Sequence, residues 1–248
     1  MRVETNVRVI RRNRQIAQYS FFISMAVWVA GLLITFTDFF ENRVPSELAW
    51  LEVAISLVLP FALGLALFAV YMTNLWIREP RPEQATRDGL KGISRKSVLY
   101  HYHHNPAKHV LIAPQGVFVM VVRWQQGEIE VEGEKWRQQR SLASRLFGLF
   151  RLDGLGDPVG EARRAVDYLE RVLEPIAPDV EVKPIIVLTD PRADANVEDS
   201  PVPVLYTDEK RKPNLKDYMR QQSSESGLPL TDEQLEAFEE ATLPAGEE

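Results

Sequence analysis

The sequence contains no cysteine, and only four of its 248 residues are histidine. Without cysteine the chain has no disulfide bonds and no thiolate ligands for a metal ion, which fits a reducing compartment. An excess of positive charge is also lacking, because the formal net charge is −6. Nucleic-acid-binding domains usually present a basic face, so this charge balance does not favour nucleic acid as a partner.

The charges are unevenly distributed along the chain. Residues 1–18 hold five arginines and one glutamate, whereas residues 79–220 are neutral with 22 charges of each sign. Residues 221–248 hold eight acidic residues and no basic one. We therefore predict a basic cytoplasmic arm over residues 1–18 and an acidic tail with a short helix over residues 223–248.

Charged residues are absent from two long apolar runs, residues 19–37 and 53–77. A helix rises about 1.5 Å per residue, so about 20 apolar residues cross a hydrocarbon core of about 30 Å. Each run alone would also fit a buried core helix, but together they predict a transmembrane hairpin over residues 19–77 with a short external loop, residues 38–52. No small-residue cleavage site follows the first run, so we expect an uncleaved anchor rather than a signal peptide.

Basic residues flank the predicted hairpin on one side. Five arginines precede it and six basic residues follow it between Arg78 and Lys96, whereas the loop between the runs holds Arg43 alone. The positive-inside rule then places both termini and the soluble domain in the cytoplasm of a multi-pass cell-membrane protein. The lipid bilayer is thus the first expected partner, and the arginines are expected to attract anionic headgroups.

The remaining chain predicts a linker and one soluble domain. Residues 78–97 are rich in proline, glycine and charge, which is typical of a linker. Residues 98–222 predict strands at 98–104, 109–113, 117–124, 127–136, 180–188 and 201–207, and helices at 158–173 and 215–222. This order indicates an α/β sandwich with a mixed central sheet. Residues 139–151 predict an amphipathic helix that packs on the sheet or lies on the inner leaflet.

The histidines lie close together in the sequence, at His101, His103, His104 and His109. Alternate residues of a strand share a face, so His101 and His103 are candidate metal ligands. No carboxylate occurs between Asp88 and Glu128 to complete a ligand set, and we predict no metal site. The expected alternative is a partly exposed edge strand.

The stretch from His109 to Gly127 predicts two apolar strands joined by a turn at residues 114–116. It resembles the nuclease-related domain (NERD) family of the restriction-endonuclease-like superfamily. The resemblance covers about Val98 to Leu205, and it rests on His109, the turn Gly116-Val117-Phe118-Val119, Gly127, Trp136, and Asp157-Pro158 with Glu161. It implies a restriction-endonuclease-like α/β sandwich with a mixed central sheet.

The positions that are catalytic in that family hold different residues here. By the resemblance, the family's metal-binding Asp falls on Lys108, its Glu on Val121 and its Lys on Arg123. Valine offers no oxygen ligand, a lysine would repel the cation, and arginine is not deprotonated in proteins. We therefore expect no catalytic residue, no metal and no cofactor, unless carboxylates at other positions in the chain served as the metal ligands.

These considerations predict a membrane-anchored, non-catalytic binding or scaffold module with a protein partner that the sequence does not identify. The alternative is a membrane-tethered, metal-dependent nuclease or nucleic-acid-processing enzyme. Lys108 and Arg123, expected near each other on adjacent strands, are candidates for binding phosphate without cutting it. A third hypothesis is a small structural membrane protein whose soluble domain serves assembly.

Overall fold

The structure is a computed structural model that describes residues 1–36, 49–139, 154–222 and 228–242. It divides into two compact units. The sheet unit comprises Met1–Val7, Pro80–Arg140 and Gly154–Glu248, and the described part of the helical unit lies within Arg8–Glu79.

The helical unit contains two helices, α1 (Val7–Phe36) and α2 (Ala49–Trp76). Within α1, the stretch Val7–Leu33 is long and apolar enough to cross a membrane, whereas the described apolar stretch of α2, Pro60–Trp76, is shorter. By length and composition, one described helix therefore qualifies as an anchor or as a signal sequence. The second span remains a prediction, and most of the predicted loop lies outside the described residues.

The sheet unit is built on strands β1 (Arg2–Thr5), β2 (Val98–His101), β3 (His109–Ala113), β4 (Gly116–Arg123), β5 (Gly127–Glu132), β6 (Lys135–Gln138), β7 (Val182–Leu188), β8 (Ala193–Glu198) and β9 (Val204–Tyr206). Six of them form a large sheet in the order β1-β2-β3-β4-β7-β9. In it β3 runs antiparallel to β2 and β4, and the other neighbours are parallel. A small sheet has the order β6-β5-β8.

The helices of the sheet unit are α3 (Pro82–Gly89), α4 (Pro158–Leu173), α5 (Leu215–Gln221) and α6 (Asp232–Thr242). One face of the large sheet, with Val117 and Val119 of β4, packs against α4 and α6. The other face, with Phe118 and Met120, packs against α5 and the segment around Leu90. The predicted α/β architecture with a mixed sheet is confirmed, and β4 is apolar on both faces because both are covered.

Local signals in the sequence account for the elements that were predicted well. The turn before β4 uses Gly116 at φ +132°, a backbone conformation that strongly favours glycine. The helix α4 begins at Pro158, after Asp157, whose side chain accepts a hydrogen bond from the Gly160 N–H at 2.8 Å. The predicted helix at residues 139–151 falls almost entirely outside the described residues, as do residues 223–227 and 243–248 of the predicted tail.

Two predicted segments differ from the structure. The basic arm, residues 1–18, is not a separate arm, because Arg2–Thr5 forms the edge strand β1 and α1 begins at Val7. The predicted linker, residues 78–97, contains the helix α3, which starts with Pro82 and buries Ala85, Thr86 and Gly89. Proline at the first turn starts a helix as readily as it marks a loop, and composition alone does not separate the two.

Candidate functional site

The candidate site lies at the edge of the large sheet that is formed by the ends of its strands, and not along an edge strand. Strands β1, β2, β4, β7 and β9 all point the same way and end at this edge, and the antiparallel β3 begins there. In open α/β sheets, ligands bind outside the carboxyl ends of the strands. The histidines of β2 and β3 and all three positions singled out by the family resemblance lie at or near this edge.

The three singled-out residues occupy different environments. Lys108 immediately precedes β3 and is exposed to solvent. Val121 is 7% exposed and belongs to an apolar cluster between the two sheets. Arg123 is the last residue of β4 and is 8% exposed. The hairpin brings these positions towards one end of the strand pair, but Lys108 is exposed whereas Val121 and Arg123 are buried.

Arg123 is held by three hydrogen bonds. Its Nε donates to the Leu155 carbonyl at 2.9 Å, its Nη1 to the Val122 carbonyl at 3.1 Å, and its Nη2 to Glu161 Oε1 at 2.7 Å. A planar guanidinium suits such a set of acceptors because its donors are fixed in direction. We call Arg123, Glu161 and the Leu155 carbonyl the arginine clamp.

The clamp fixes the loop that leads into α4. Gly156 has φ +65°, and a Cβ at this residue would lie 3.6 Å from Glu161 Oε1 and 3.9 Å from Arg123 Nη2. The neighbouring Gln125 is buried and donates from Nε2 to the Gly154 carbonyl at 2.9 Å. The strand end, the loop and the first turn of the helix are thus tied into one polar network.

These residues do not fit the divalent metal ion that the family resemblance implies. Such an ion requires several oxygen ligands at short range. Val121 supplies none, and the Glu161 carboxylate is already paired with Arg123. Asp190, a buried carboxylate following β7, accepts hydrogen bonds from the backbone and guanidinium of Arg192 at 2.9–3.0 Å. The described residues include no group of three or more metal-ligating side chains.

The histidine region differs from the prediction. The strand β2 is not an edge strand, since β1 pairs outside it, and His101 is 0% exposed as a result. His101 and His109 are cross-strand neighbours with their Nδ1 atoms 2.8 Å apart. One Nδ1 must donate and the other accept, so this geometry suits two neutral rings.

Burial accounts for the protonation state of this pair. It lowers the pKa of His101 to about 4, with additional repulsion from Arg87 and His103. Burial also holds the pKa of His109 well below its usual range, with further repulsion from His101 and Lys108. Both rings are therefore neutral at pH 7 and act as part of the core.

His104 follows β2 by three residues and lies among aromatic side chains. Its ring centroid is 5.7 Å from that of Tyr100 and 5.1 Å from that of Phe238 in α6, and burial lowers its pKa to about 4. The Tyr100 hydroxyl donates to Glu239, which also pairs with Arg2 of β1. Burial and the hydrogen bond to Glu239 raise the pKa of Tyr100.

Sequence reasoning missed this connection between the N-terminal strand and the C-terminal helix. Arg2 and Glu239 are 237 positions apart, and nothing local in either segment indicates the other. The apolar character of Val3, which packs against the core, was the only local indication that residues 2–5 could form a strand.

Comparison of the chain with protein-family models, with curated proteins and with solved structures returns no match. The family resemblance therefore stays a prediction.

Proposed function

We propose that this protein is a membrane-anchored binding or scaffold module with a nuclease-related fold and without hydrolytic activity. The observation that carries the proposal is the arginine clamp. At the position where the family carries its catalytic lysine, Arg123 is buried and bonded to two carbonyl groups and a carboxylate. A side chain engaged in this way positions the loop before α4 and does not orient a nucleophile.

The order of elements supports the fold part of the proposal. The residues that carry the family resemblance predict a strand that begins at His109, a glycine turn and a second strand. They also predict a helix that an Asp-Pro pair opens later in the chain. The strands β3 and β4 and the helix α4 follow this order, and β7 then pairs in parallel with β4.

The exposure of α1 supports an anchor. Only 22% of an apolar 18-residue stretch of α1 is buried, whereas the core helix of a soluble protein would be mostly buried. A cleaved signal sequence would take β1 away with it, because residues 2–5 precede α1 in the chain. That loss would leave β2 as an unpaired edge with His101 uncovered.

The pairing of β1 with β2 supports a second crossing. Residues 2–5 and 98–101 are neighbours in one sheet, so they must lie on the same side of any membrane. If α1 crosses the bilayer, the chain has to return before Val98, and α2 is the longer of the two described helices in that interval. The arginines before and after the helices then favour a cytoplasmic sheet unit by the positive-inside rule.

The absence of cysteine allows a direct topology test. Single cysteines at Ser46, in the predicted loop, and at Lys210, in the sheet unit, would be labelled with a membrane-impermeant maleimide in intact cells. We expect labelling of Ser46→Cys alone, and labelling of both after permeabilisation. Labelling of Lys210→Cys in intact cells would contradict the cytoplasmic placement.

Catalysis is tested with the full chain in neutral-detergent micelles, because truncation before residue 79 would remove β1 from the sheet. Calorimetric titration with Mg²⁺ and Mn²⁺ and incubation with labelled DNA and RNA should give no metal binding and no cleavage. Metal-dependent cleavage that is lost in Glu161→Gln would contradict the proposal and favour the tethered nuclease. Retention of nucleic acid without cleavage would identify nucleic acid as the bound partner. Weaker retention by Lys108→Gln would then show that Lys108 contributes to this binding.

A further inference from the structure

The strand β1 is an edge strand of the large sheet, and its outer side is open. It pairs in parallel with β2, and the Arg2 N–H donates to the Ser97 carbonyl at 2.8 Å. Backbone groups alternate between the two sides of a strand, so those of Val3 and Thr5 point away from β2. Among the described residues, none forms a hydrogen bond with the backbone of Val3 or Thr5 on that side.

Two other edge strands are closed by the chain itself. In β9, the Tyr206 N–H donates to the Pro213 carbonyl at 3.0 Å. In β8, the Ala193 N–H donates to the Asp190 carbonyl at 3.0 Å. The Ala195 N–H of the same strand donates to the Tyr206 hydroxyl at 2.8 Å. An open edge is a template for pairing with another chain, so the contrast singles out β1 as a docking edge.

The sequence of β1 is complementary to itself in one antiparallel register. When Val3 lies opposite Val3 of a second copy, Arg2 lies opposite Glu4 and Glu4 lies opposite Arg2. The outward backbone groups of the two Val3 residues then form a hydrogen-bonded pair, and the charges occupy the flanking pairs, where side chains are closest. The Arg2 and Glu4 side chains are 48% and 41% exposed, so both can reach across to a second strand.

The neighbouring register lacks this complementarity. With Val3 opposite Thr5 of the second copy, Glu4 would lie opposite Glu4, and like charges at directly opposite positions destabilise a strand pair. Val3 is on the other face of the strand, where it packs partly buried against the core. A Val3–Val3 contact would extend that apolar packing, so both faces of β1 favour the same register.

We propose that β1 pairs antiparallel with β1 of a second copy of this chain, in the register that places Arg2 opposite Glu4, and so joins two large sheets into one. The same residues serve both copies, so the interface closes as a dimer and does not propagate. It is short and falls below the roughly 1,200 Å² of a stable interface, so the dimer is weak and concentration-dependent. This inference rests on the sheet unit alone and goes beyond the proposed function, since it requires no membrane anchor.

The test uses the full chain in neutral-detergent micelles, labelled with donor and acceptor fluorophores at Lys210→Cys, an exposed position of the sheet unit. Energy transfer at rising protein concentration gives the dimerisation constant. We expect Glu4→Arg to weaken the dimer about tenfold, because Arg2 would then lie opposite an arginine. The matched control, Glu128→Arg, makes the same charge change at an exposed position of β5 and should keep the affinity.

A proline variant tests the backbone part of the pairing. The Thr5 N–H points away from β2, so Thr5→Pro removes an outward donor and leaves the hydrogen bonds to β2 in place. We expect it to weaken the dimer at least about tenfold, because the proline ring also obstructs the incoming strand. Its denaturant unfolding curve should match that of the wild type, which separates lost pairing from lost folding.

A cysteine at Val3 tests the register, since the natural chain has no cysteine. A hydrogen-bonded antiparallel pair separates the Cα atoms by about 5.5 Å, which a disulfide spans. Mild oxidation should link Val3→Cys into a dimer, whereas Asn196→Cys, at an exposed position of β8, should stay monomeric.

Two outcomes would overturn the inference. Energy transfer that stays at the level of a non-interacting labelled membrane protein would show that the chain is monomeric. A dimer with unchanged affinity in both Glu4→Arg and Thr5→Pro would place the contact on another surface. If Thr5→Pro fails to fold, unchanged affinity in Glu4→Arg together with absence of the Val3→Cys cross-link would overturn it equally.

Discussion

The strand β4 and the helix α1 are both rich in large apolar side chains, but the structure places those side chains in opposite environments. In β4, Phe118 is 0% exposed, Val117 is 1% exposed and Met120 is 2% exposed. In α1, Phe22 is 60% exposed and Leu33 59%. Large apolar side chains are frequent in both segments, so their presence does not by itself decide burial.

The difference follows from what covers each segment. Both faces of β4 are covered by helices and loops of the sheet unit. From Ala17 to Leu33 the buried residues of α1 are instead small, Ala17, Ser20, Ser24 and Gly31, and the large side chains lie outside. Small residues at helix contacts and large apolar residues outside are typical of membrane helices, where lipid replaces the core.

The largest expected effect comes from truncating the same residue type in the two segments. Phe118→Ala should lower the free energy of unfolding by about 3–5 kcal/mol, because it leaves a cavity in a closed core. Phe22→Ala should lower it by less than about 1 kcal/mol in micelles, since detergent fills the space. Denaturant unfolding of the full chain measures both, and similar losses would show that α1 belongs to a packed protein core.

Acid should destabilise the sheet unit specifically, because it contains His101, His104 and His109, whose pKa values are lowered by burial. The folded-state pKa of about 4 for His104 lies below the usual 6.5, so the unfolded chain binds more protons between these values. This contribution is complete above about pH 6.5 and is lost as the pH falls towards 4, by about 3 kcal/mol.

His104→Phe tests this assignment, since it keeps an aromatic ring between Tyr100 and Phe238 and removes the titration. Its unfolding free energy should vary less between pH 7 and 5 than that of the wild type, and the comparison at pH 8 serves as the control. An unchanged pH dependence would contradict the buried neutral state of His104.

Breaking the arginine clamp should have an intermediate effect. Arg123→Met removes the donors to Leu155 and Glu161 and should cost about 1–3 kcal/mol, because the Leu155 carbonyl loses the partner of a buried hydrogen bond. Glu161→Gln should cost less than about 1 kcal/mol, since the Glu161 side chain is 44% exposed. Hydrogen exchange in the first turn of α4 should rise in the first variant. Unchanged exchange there would show that the clamp does not fix the loop.

The smallest effect is expected for the ion pair that joins β1 to α6. Arg2 and Glu239 have side chains 48% and 24% exposed, so a double-mutant cycle with Arg2→Gln and Glu239→Gln should give a coupling of about 0.2–1 kcal/mol. Arg11→Gln in α1 is the matched control and should leave the stability of the sheet unit unchanged. Zero coupling would mean that this ion pair does not help to hold β1 in the sheet.

The candidate site was only partly predictable. The hairpin register brings Lys108, Val121 and Arg123 to one end of β3 and β4, and that much follows from two apolar runs and a glycine turn. The partner of Arg123 does not follow, because Glu161 comes from a helix 38 positions later in the chain. The burial of His101 was mispredicted for a related reason, since the strand that covers it comes from residues 2–5.

What the sequence determined by itself is local: the absence of cysteine chemistry, an apolar helix of membrane length, the β3–β4 hairpin and the start of α4 at Pro158. Each of these depends on composition, on periodicity or on a turn and a cap within a few residues. Only the tertiary structure decided that β1 joins the sheet, that His101, His104 and His109 are neutral core residues, and that Arg123 is a clamp. These features depend on pairing and burial between distant segments, and no local pattern encodes which segment covers which.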